Sequence, residues 1–394
     1  MEALVLDAEL RTANVEYINR PRPTINQLLV HVKALSLNPI DPLYVSHPLA
    51  KSGRVIGSDF AGKVVELGSE VPDSARLSPG TLVAGFLQGA CSVNDRPGAF
   101  AEYLVVPWDL VWKVPESVSI EYAAGVSLVA LTAAQAIYCR LGLQAPFEFD
   151  CESILGEHPE WDHCATSGDE REVVNFFIYG ASTSVALYAA QMVRLSGRAS
   201  GKAIKLFGAA SKARWDLLTA APYGYDGLVD YRDKDWLEQM MGLTSQAGIH
   251  YAFDCISEGE SVQLVCSTLA RDGRMAIVRS REGGAWKGER LTNEVEPRYG
   301  AVWEGLGEEV QYQGLTVKRS PSTRAFTVAF YDWLSKSLGS DILPNPIRLM
   351  PGGLRMVVDD GFKLLGAGGM EERQVEMTED WMKPVSAEKL VYKI

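Results

Sequence analysis

Residues 173–186 constrain this chain more than any other stretch. Val173-Val174-Asn175-Phe176-Phe177-Ile178-Tyr179 is an uncharged, mostly apolar run, and Gly180-Ala181-Ser182-Thr183-Ser184 separates it from a helical pattern that opens at Val185. A short apolar run bounded by glycine predicts a strand buried on both faces. The hydroxylated residues after it predict a tight turn and a capped helix over 185–195. The alternation continues, with strands predicted over 203–208, 227–231, 251–256 and 273–278 and a helix over 212–220. Strands spaced by helices join through right-handed crossovers into a parallel sheet. At the first turn of such a sheet, backbone N–H groups and the helix dipole bind a pyrophosphate. Only Gly180 is a glycine here, so the full G-x-G-x-x-G is missing and the βαβ context carries the reading. The competing reading is a capped helix after a buried strand, with no ligand.

The first 125 residues have a different rhythm. Short strands are predicted over 27–34, 61–68, 82–86 and 99–107, punctuated by Gly and Pro as in a barrel-like β domain. Residues 120–140 carry small and apolar side chains at helical spacing, 146–171 read as a polar surface loop, and 389–394 as a lone strand returning to the first domain. A length of 394 residues suits two domains. The expected division is a β-rich domain over 1–130 plus 320–394 and a nucleotide-binding domain over 131–319. The net charge of −12 repels phosphate backbones and argues against nucleic acid as a partner. No apolar run is long enough to span a membrane, and the acidic start Met1-Glu2-Ala3-Leu4-Val5-Leu6-Asp7 is unlike a signal peptide, so the cytosol is the default location. The six cysteines are then expected to be reduced, with Cys139, Cys255 and Cys266 as core filler. Cys151, His158, His163 and Cys164 bring metal-ligand types together, but their spacing matches no zinc knuckle, so a solvated loop is the expectation.

The second strand of the parallel series bears on cofactor choice. NAD enzymes place an acid at its end to hold the ribose 2′-OH. Here Leu206-Phe207-Gly208-Ala209-Ala210 leads into Ser211, Lys212, Ala213 and Arg214, with no acid before Asp216. A hydroxyl and two cations suit the 2′-phosphate of NADPH, which a carboxylate would repel. The alternative is a solvated, basic first helical turn.

Taken together, Asn38-Pro39-Ile40-Asp41, Gly57-Ser58-Asp59-Phe60-Ala61-Gly62, Gly98-Ala99-Phe100-Ala101-Glu102-Tyr103 and the terminal Ser386-Ala387-Glu388-Lys389-Leu390-Val391 resemble the medium-chain dehydrogenases/reductases over nearly the whole length. That resemblance implies an α/β architecture, a GroES-like β-rich catalytic domain with an inserted Rossmann domain. Zinc enzymes of this superfamily tend to carry Cys where Asp41 stands and His-Glu where Ser58-Asp59 stand. The four clustered cysteines of their structural zinc lobe are also missing, so the resemblance is to the zinc-free members and no metal is expected. Within these, the chain resembles the fungal trans-acting enoyl reductases that serve polyketide synthases, on Gly180-Ala181-Ser182-Thr183, the run from Ser211 to Leu217, Asp230-Tyr231-Arg232, Asp254-Cys255-Ile256 and the C-terminal motif. The resemblance implies an NADPH-dependent enoyl reductase acting on a thioester borne by the acyl carrier domain of a separate polyketide or hybrid synthase.

Carried over residue by residue, the cofactor would touch Ile40, Asp41, Pro42 and Leu43, then Ser182, Thr183, Ser184 and Val185. Further contacts would come from Ser211, Lys212, Ala213, Arg214, Tyr231, Val278, Arg279, Ser386 and Ala387. The substrate would lie against Thr132, Ala133, Ala134, Gln135, Ala136, Ile137, Tyr138 and Cys139, and against Gly300, Ala301, Val302, Trp303 and Glu304. The chain departs from the family in Ala387, where Gly is commoner, in a longer stretch over 219–227, and in a distinct Trp-containing region over 283–309. Tyr44 is the candidate proton donor or else a wall residue. Asp41 is expected to anchor its turn rather than act as a base, and Thr132 to serve substrate contact or helix packing. Of Trp286, Trp303 and Trp333, Trp303 is expected on the acyl cleft. Two other classes compete: a stand-alone quinone or enone reductase, and a non-catalytic, crystallin-like protein.

Overall fold

Two sheets organise the chain, one mostly antiparallel and one parallel, and each follows from the residues that build it. The structure is a computed structural model; it describes all residues except 160, 162–170, 289–290, 292–294, 313–314 and 374–378. The chain opens on a hairpin, β1 (Glu2–Asp7) with β2 (Thr12–Tyr17), which the sequence reading had not resolved. Next come β3 (Gln27–Ser36), helix α1 (Ile40–Ser46), β4 (Gly57–Leu67), β5 (Leu82–Gly89), β6 (Tyr103–Pro107) and β7 (Val111–Lys113). The strand expected over 99–107 begins only at Tyr103, because Ala99 and Phe100 instead bond to the backbone of Gly57 and Ile56. The helical stretch at 120–140 is divided into α2 (Ile120–Ala124), α3 (Ser127–Ala134) and a π-helical turn over Gln135–Arg140, with the first break at Gly125.

A short helix α4 (Cys151–Glu157), capped by Asp150, occupies part of the stretch expected as loop. Of the cysteines, Cys91, Cys139, Cys255 and Cys266 are free and buried, whereas Cys151 is disulfide-bonded. This corrects the expectation of six reduced thiols: compartment sets the poise for an average thiol, and local geometry overrides it. His163 and Cys164 lie outside the described residues, so the Cys/His group is described only at Cys151 and His158, and His158 stacks on Trp161 at 4.0 Å.

The parallel sheet is built from β8 (Val173–Tyr179), α5 (Ser184–Ser200), β9 (Ala203–Ala209), α6 (Trp215–Thr219), β10 (Gly227–Val229), α7 (Trp236–Leu243), β11 (Ile249–Asp254), α8 (Ser261–Ser267), β12 (Leu269–Ile277) and β13 (Arg298–Tyr299). Its order is β10-β9-β8-β11-β12-β13, all parallel. The first strand in sequence is therefore central, flanked by its second and fourth, and the crevice past its carboxyl end is the topological switch point where ligands bind. Phe176, Phe177 and Ile178 are fully buried, as an uncharged central strand must be. Gly208, on β9, has to be glycine: a Cβ there would come within 2.6 Å of the Tyr225 ring.

After a small hairpin of β14 (Val310–Tyr312) and β15 (Leu315–Val317), α9 (Pro321–Ser337) follows, capped by Ser320 with Pro at its first turn. The chain ends on β16 (Ile347–Met350) and β17 (Lys389–Lys393), which complete a second sheet in the order β16-β17-β3-β4-β5-β7 with β6 beside β3. The last strand thus returns to the first sheet, antiparallel to β3. This return carries residues 386–389 past the amino end of α5. Among the described residues, no helix is long and apolar enough to cross a membrane.

Candidate active site

A cleft of about 300 Å³ lies where the two sheets meet, and strand ends build both of its walls. One wall holds the start of α5. Thr183 caps that helix, its Oγ1 accepting the N–H of Ala186 at 3.2 Å. Helix geometry leaves the first-turn N–H groups without intrahelical acceptors, and Ser182, Thr183, Ser184 and Val185 all line the cleft. Gly180 enters the turn at φ +73°, and a Cβ there would sit 2.7 Å from Ile256. The C-terminal segment clamps this turn. Ala387 donates its N–H to Ser182 O at 3.1 Å, Ser184 donates its hydroxyl to Glu388 O at 3.2 Å, and Asn345 Nδ2 donates to Ser184 O at 2.8 Å. Val278, Arg279, Ser386 and Ala387 line the same cleft. This wall, an amino-terminal helix end with cationic side chains near it, fits a dinucleotide.

Ser211, Lys212, Ala213, Arg214 and Tyr231 do not line this cleft but gather past the end of β9. Arg214 Nε donates to Ser386 Oγ at 3.0 Å, while Lys212 pairs with Asp233 at 3.0 Å. Asp230, which the sequence reading did not weigh as a charge, accepts the Lys212 N–H at 3.1 Å and a two-pronged contact from Arg232 at 2.9 and 2.6 Å. Those hydrogen bonds from Arg232 hold the Asp230 carboxyl well below the usual range. Arg232 is a further cation at this corner; its signal was the Asp230-Tyr231-Arg232 run, which had been quoted only as a motif.

The opposite wall comes from the turn after β3 and from α1. Leu37, Asn38, Pro39, Ile40 and Leu43 line it, whereas Asp41, Pro42 and Tyr44 do not. Tyr44 is buried among core residues at 4% exposure. A helix turns about 100° per residue, so presenting Leu43 to the cleft points Tyr44 inward. Beneath the turn is a fully buried polar network. Asp41 accepts the Asn38 N–H at 2.7 Å and the Ser58 hydroxyl at 2.9 Å, and Asn38 Nδ2 donates to Asp59 at 2.9 Å. Lys389 Nζ donates to Asn38 Oδ1 at 2.6 Å and Leu37 O at 2.7 Å, and lies 3.4 Å from Asp59. Burial pushes the Asp41 carboxyl up to about 7, raises Asp59, and lowers Lys389. Asp41 and Ser58, where the resemblance expects Cys and His in zinc enzymes, are thus tied up in this network beside the Lys389 ammonium group. Among the described residues, no group of three or more His, Cys, Asp or Glu is arranged to hold a metal.

Of the residues expected on the substrate, Thr132, Gly300, Ala301, Val302 and Trp303 line the cleft. Thr132 donates its hydroxyl to Leu128 O at 2.8 Å. Ala133, Ala134, Gln135, Ala136, Ile137, Tyr138 and Cys139 do not reach the cleft; all are buried at 3% exposure or less. Past Thr132 the chain packs against α5, and the Tyr138 hydroxyl donates to Met192 O at 3.3 Å. Glu304 turns away from the cleft to pair with the buried Arg140 at 2.9 Å. That pair fixes the 300–304 segment, since a Cβ on Gly300 would collide with the Arg140 guanidinium. Trp303 packs on Phe86, ring centres 5.8 Å apart, while Trp286 belongs to a separate core cluster and Trp333 packs on Phe147 and Phe330.

Two family models match this chain: the alcohol dehydrogenase GroES-like domain over residues 24–116 and the zinc-binding dehydrogenase over 185–289. They define a medium-chain dehydrogenase/reductase, a GroES-like domain joined to a Rossmann-like one. The trans-enoyl reductase ACTTS2 of Alternaria alternata is 32% identical over 273 residues, 69% of this chain and 70% of that one. The trans-enoyl reductase FSL5 of Gibberella zeae is 26% identical over 98% of this chain and 95% of its own. In fold, the CurK enoyl reductase covers the whole chain and 98% of its own at a TM-score of 0.70 and 17% identity. The chain belongs to the medium-chain dehydrogenase/reductase superfamily and, within it, to the trans-enoyl reductases. It is an oxidoreductase.

Proposed function

We propose that this protein is an NADPH-dependent enoyl reductase that works in trans, without zinc, on an α,β-unsaturated polyketide thioester held by the carrier domain of a separate synthase. The observation that carries the reading is one cleft shared by the α5 amino end and the apolar wall of Leu43, Val302 and Trp303. Family membership supports the reaction class, and the names of the relatives support action in trans. Bound NADPH supplies a hydride for the β-carbon. The chain's own residues orient and bind. First-turn N–H groups of α5 hold phosphate. Lys212, Arg214 and Arg232 offer cations to a 2′-phosphate. Leu43, Val302 and Trp303 keep water from the acyl chain; the Thr132 hydroxyl on that wall donates to Leu128 O and has to turn from it to donate to the thioester oxygen as charge develops. The burial of Tyr44 argues against it as the proton donor.

The test is NADPH oxidation by the purified protein with a panel of enoyl thioesters and simple quinones, with the partner synthase present and absent. Faster turnover of enoyl thioesters is expected. Quinones turned over far faster than any thioester would establish the stand-alone quinone reductase reading instead.

A further inference from the structure

Among the described residues, five charged ones line the cleft: Glu258, Arg279, Arg373, Glu388 and Lys389. Two are already satisfied by residues behind the wall. Glu388 pairs with Arg348, and Lys389 spends its donors on Leu37, Asn38 and Asp59. The remaining three form a group of their own, with Glu258 and Arg279 past the carboxyl ends of β11 and β12. Glu258 accepts the Met370 N–H at 2.9 Å through one oxygen and pairs with Arg279 through the other. Arg373, three residues beyond Met370, brings a second guanidinium to the same cleft lining and feels the Glu258 charge without pairing to it. Its Nε is buried and has no hydrogen-bond partner among the described residues. Burial, with Arg279 acting the same way, lowers the Arg373 pKa from its ordinary value, and Glu258 opposes them.

Two guanidinium groups therefore line the cleft beside one carboxylate, whose oxygens are already taken by the Arg279 guanidinium and the Met370 N–H. In a chain of net charge −12, a surplus of half-buried positive charge in the cleft is an electrostatic cost unless a ligand anion neutralises it. The planar fork of a guanidinium matches the oxygens of a phosphate group. The backbone donors at the amino end of α5, on the same cleft, are the first phosphate position.

The geometry points to a second anion position in the cleft, formed by Arg373 with Arg279, that takes a phosphate ester. Two sources carry that chemistry: the diphosphate of the dinucleotide and the phosphate of the pantetheine arm that delivers the acyl chain. The second source rests on the carrier-bound substrate proposed above; the first does not.

The test uses Arg373→Gln and Arg373→Lys in the full chain. Binding of NADPH and of inorganic pyrophosphate to cofactor-free protein is measured by calorimetry. KM is measured for one enoyl thioester carried on phosphopantetheine and, separately, on N-acetylcysteamine, which lacks the phosphate. Loss of a charged hydrogen bond weakens the matching ligand about tenfold or more. Weaker NADPH and pyrophosphate binding assigns the position to the cofactor. A raised KM for the phosphopantetheine thioester alone assigns it to the arm. If all four values stay within about twofold of wild type, the anion position is refuted. Should Arg373→Gln fail to fold, Arg373→Lys keeps the charge and loses the fork, and the same four values decide. If wild type reduces no enoyl thioester, the proposed function falls, and the calorimetry still decides whether an anion binds here.

Discussion

At the scale of single residues, the buried group beneath the cleft turn has a measurable consequence. Asp41 holds its proton in the folded chain up to about 7, against an ordinary 3.8, because burial disfavours its charged form more than its two hydrogen bonds favour it. Lys389, Asp59 and the Cys91 thiol are the titratable groups around it. The unfolded chain releases this proton near pH 4, the folded chain near pH 7. The stability tied to Asp41 is therefore complete below pH 4, falls as pH rises through 7, and is level above that. Asp41→Asn cannot titrate. The Tm of wild type relative to this variant should drop between pH 5 and pH 8, and a constant difference would contradict the assignment. Asp254, raised by burial to about 6, titrates in both proteins and cancels in the comparison.

At the scale of elements, the amino end of α5 and segment 386–389 act as one unit. Ala387 occupies φ +59°, a left-handed conformation that favours glycine. The chain accepts this strain to aim the Ala387 N–H at Ser182 O, 3.1 Å away. Ala387→Gly keeps that donor and relieves about 1 kcal/mol of backbone strain. A small rise in Tm with unchanged NADPH affinity is expected. A fall in Tm would show that the methyl group, buried at 5% exposure, contributes more by packing than the backbone loses.

At the scale of the whole molecule, the proposed preference for NADPH rests on residues brought together from three distant stretches. Lys212 and Arg214 follow β9, Arg232 follows β10, and Ser386 arrives with the C-terminal return. Replacing Lys212 and Arg214 together with Ala should weaken NADPH binding at least tenfold and leave NADH nearly unchanged, because only the 2′-phosphate loses partners. Equal binding of the two cofactors by wild type would overturn the preference. The exposed Lys212–Asp233 pair contributes little to stability, so the double variant should fold.

The sequence by itself determined the parallel sheet, its buried first strand and the turn into α5; the strand order came from the tertiary structure. Uncharged runs, small hydroxylated residues and Gly180 are local signals that no distant packing needs to complete. It also showed that Asp41 and Ser58 stand where zinc ligands would. Only the tertiary structure decided which face of each helix meets the cleft. Periodicity placed the residues from Ala133 to Cys139 on a helix, and motif order placed Tyr44 just after the Asn38–Asp41 turn, but packing against the core and α5 turned them away, leaving Leu43 and Thr132 exposed to the cleft. Arg373 and Lys389 show the same limit. Each lies more than 100 residues in sequence from a charged neighbour, Glu258 or Asp59, and one-dimensional spacing carries no information about a contact closed by the chain's return.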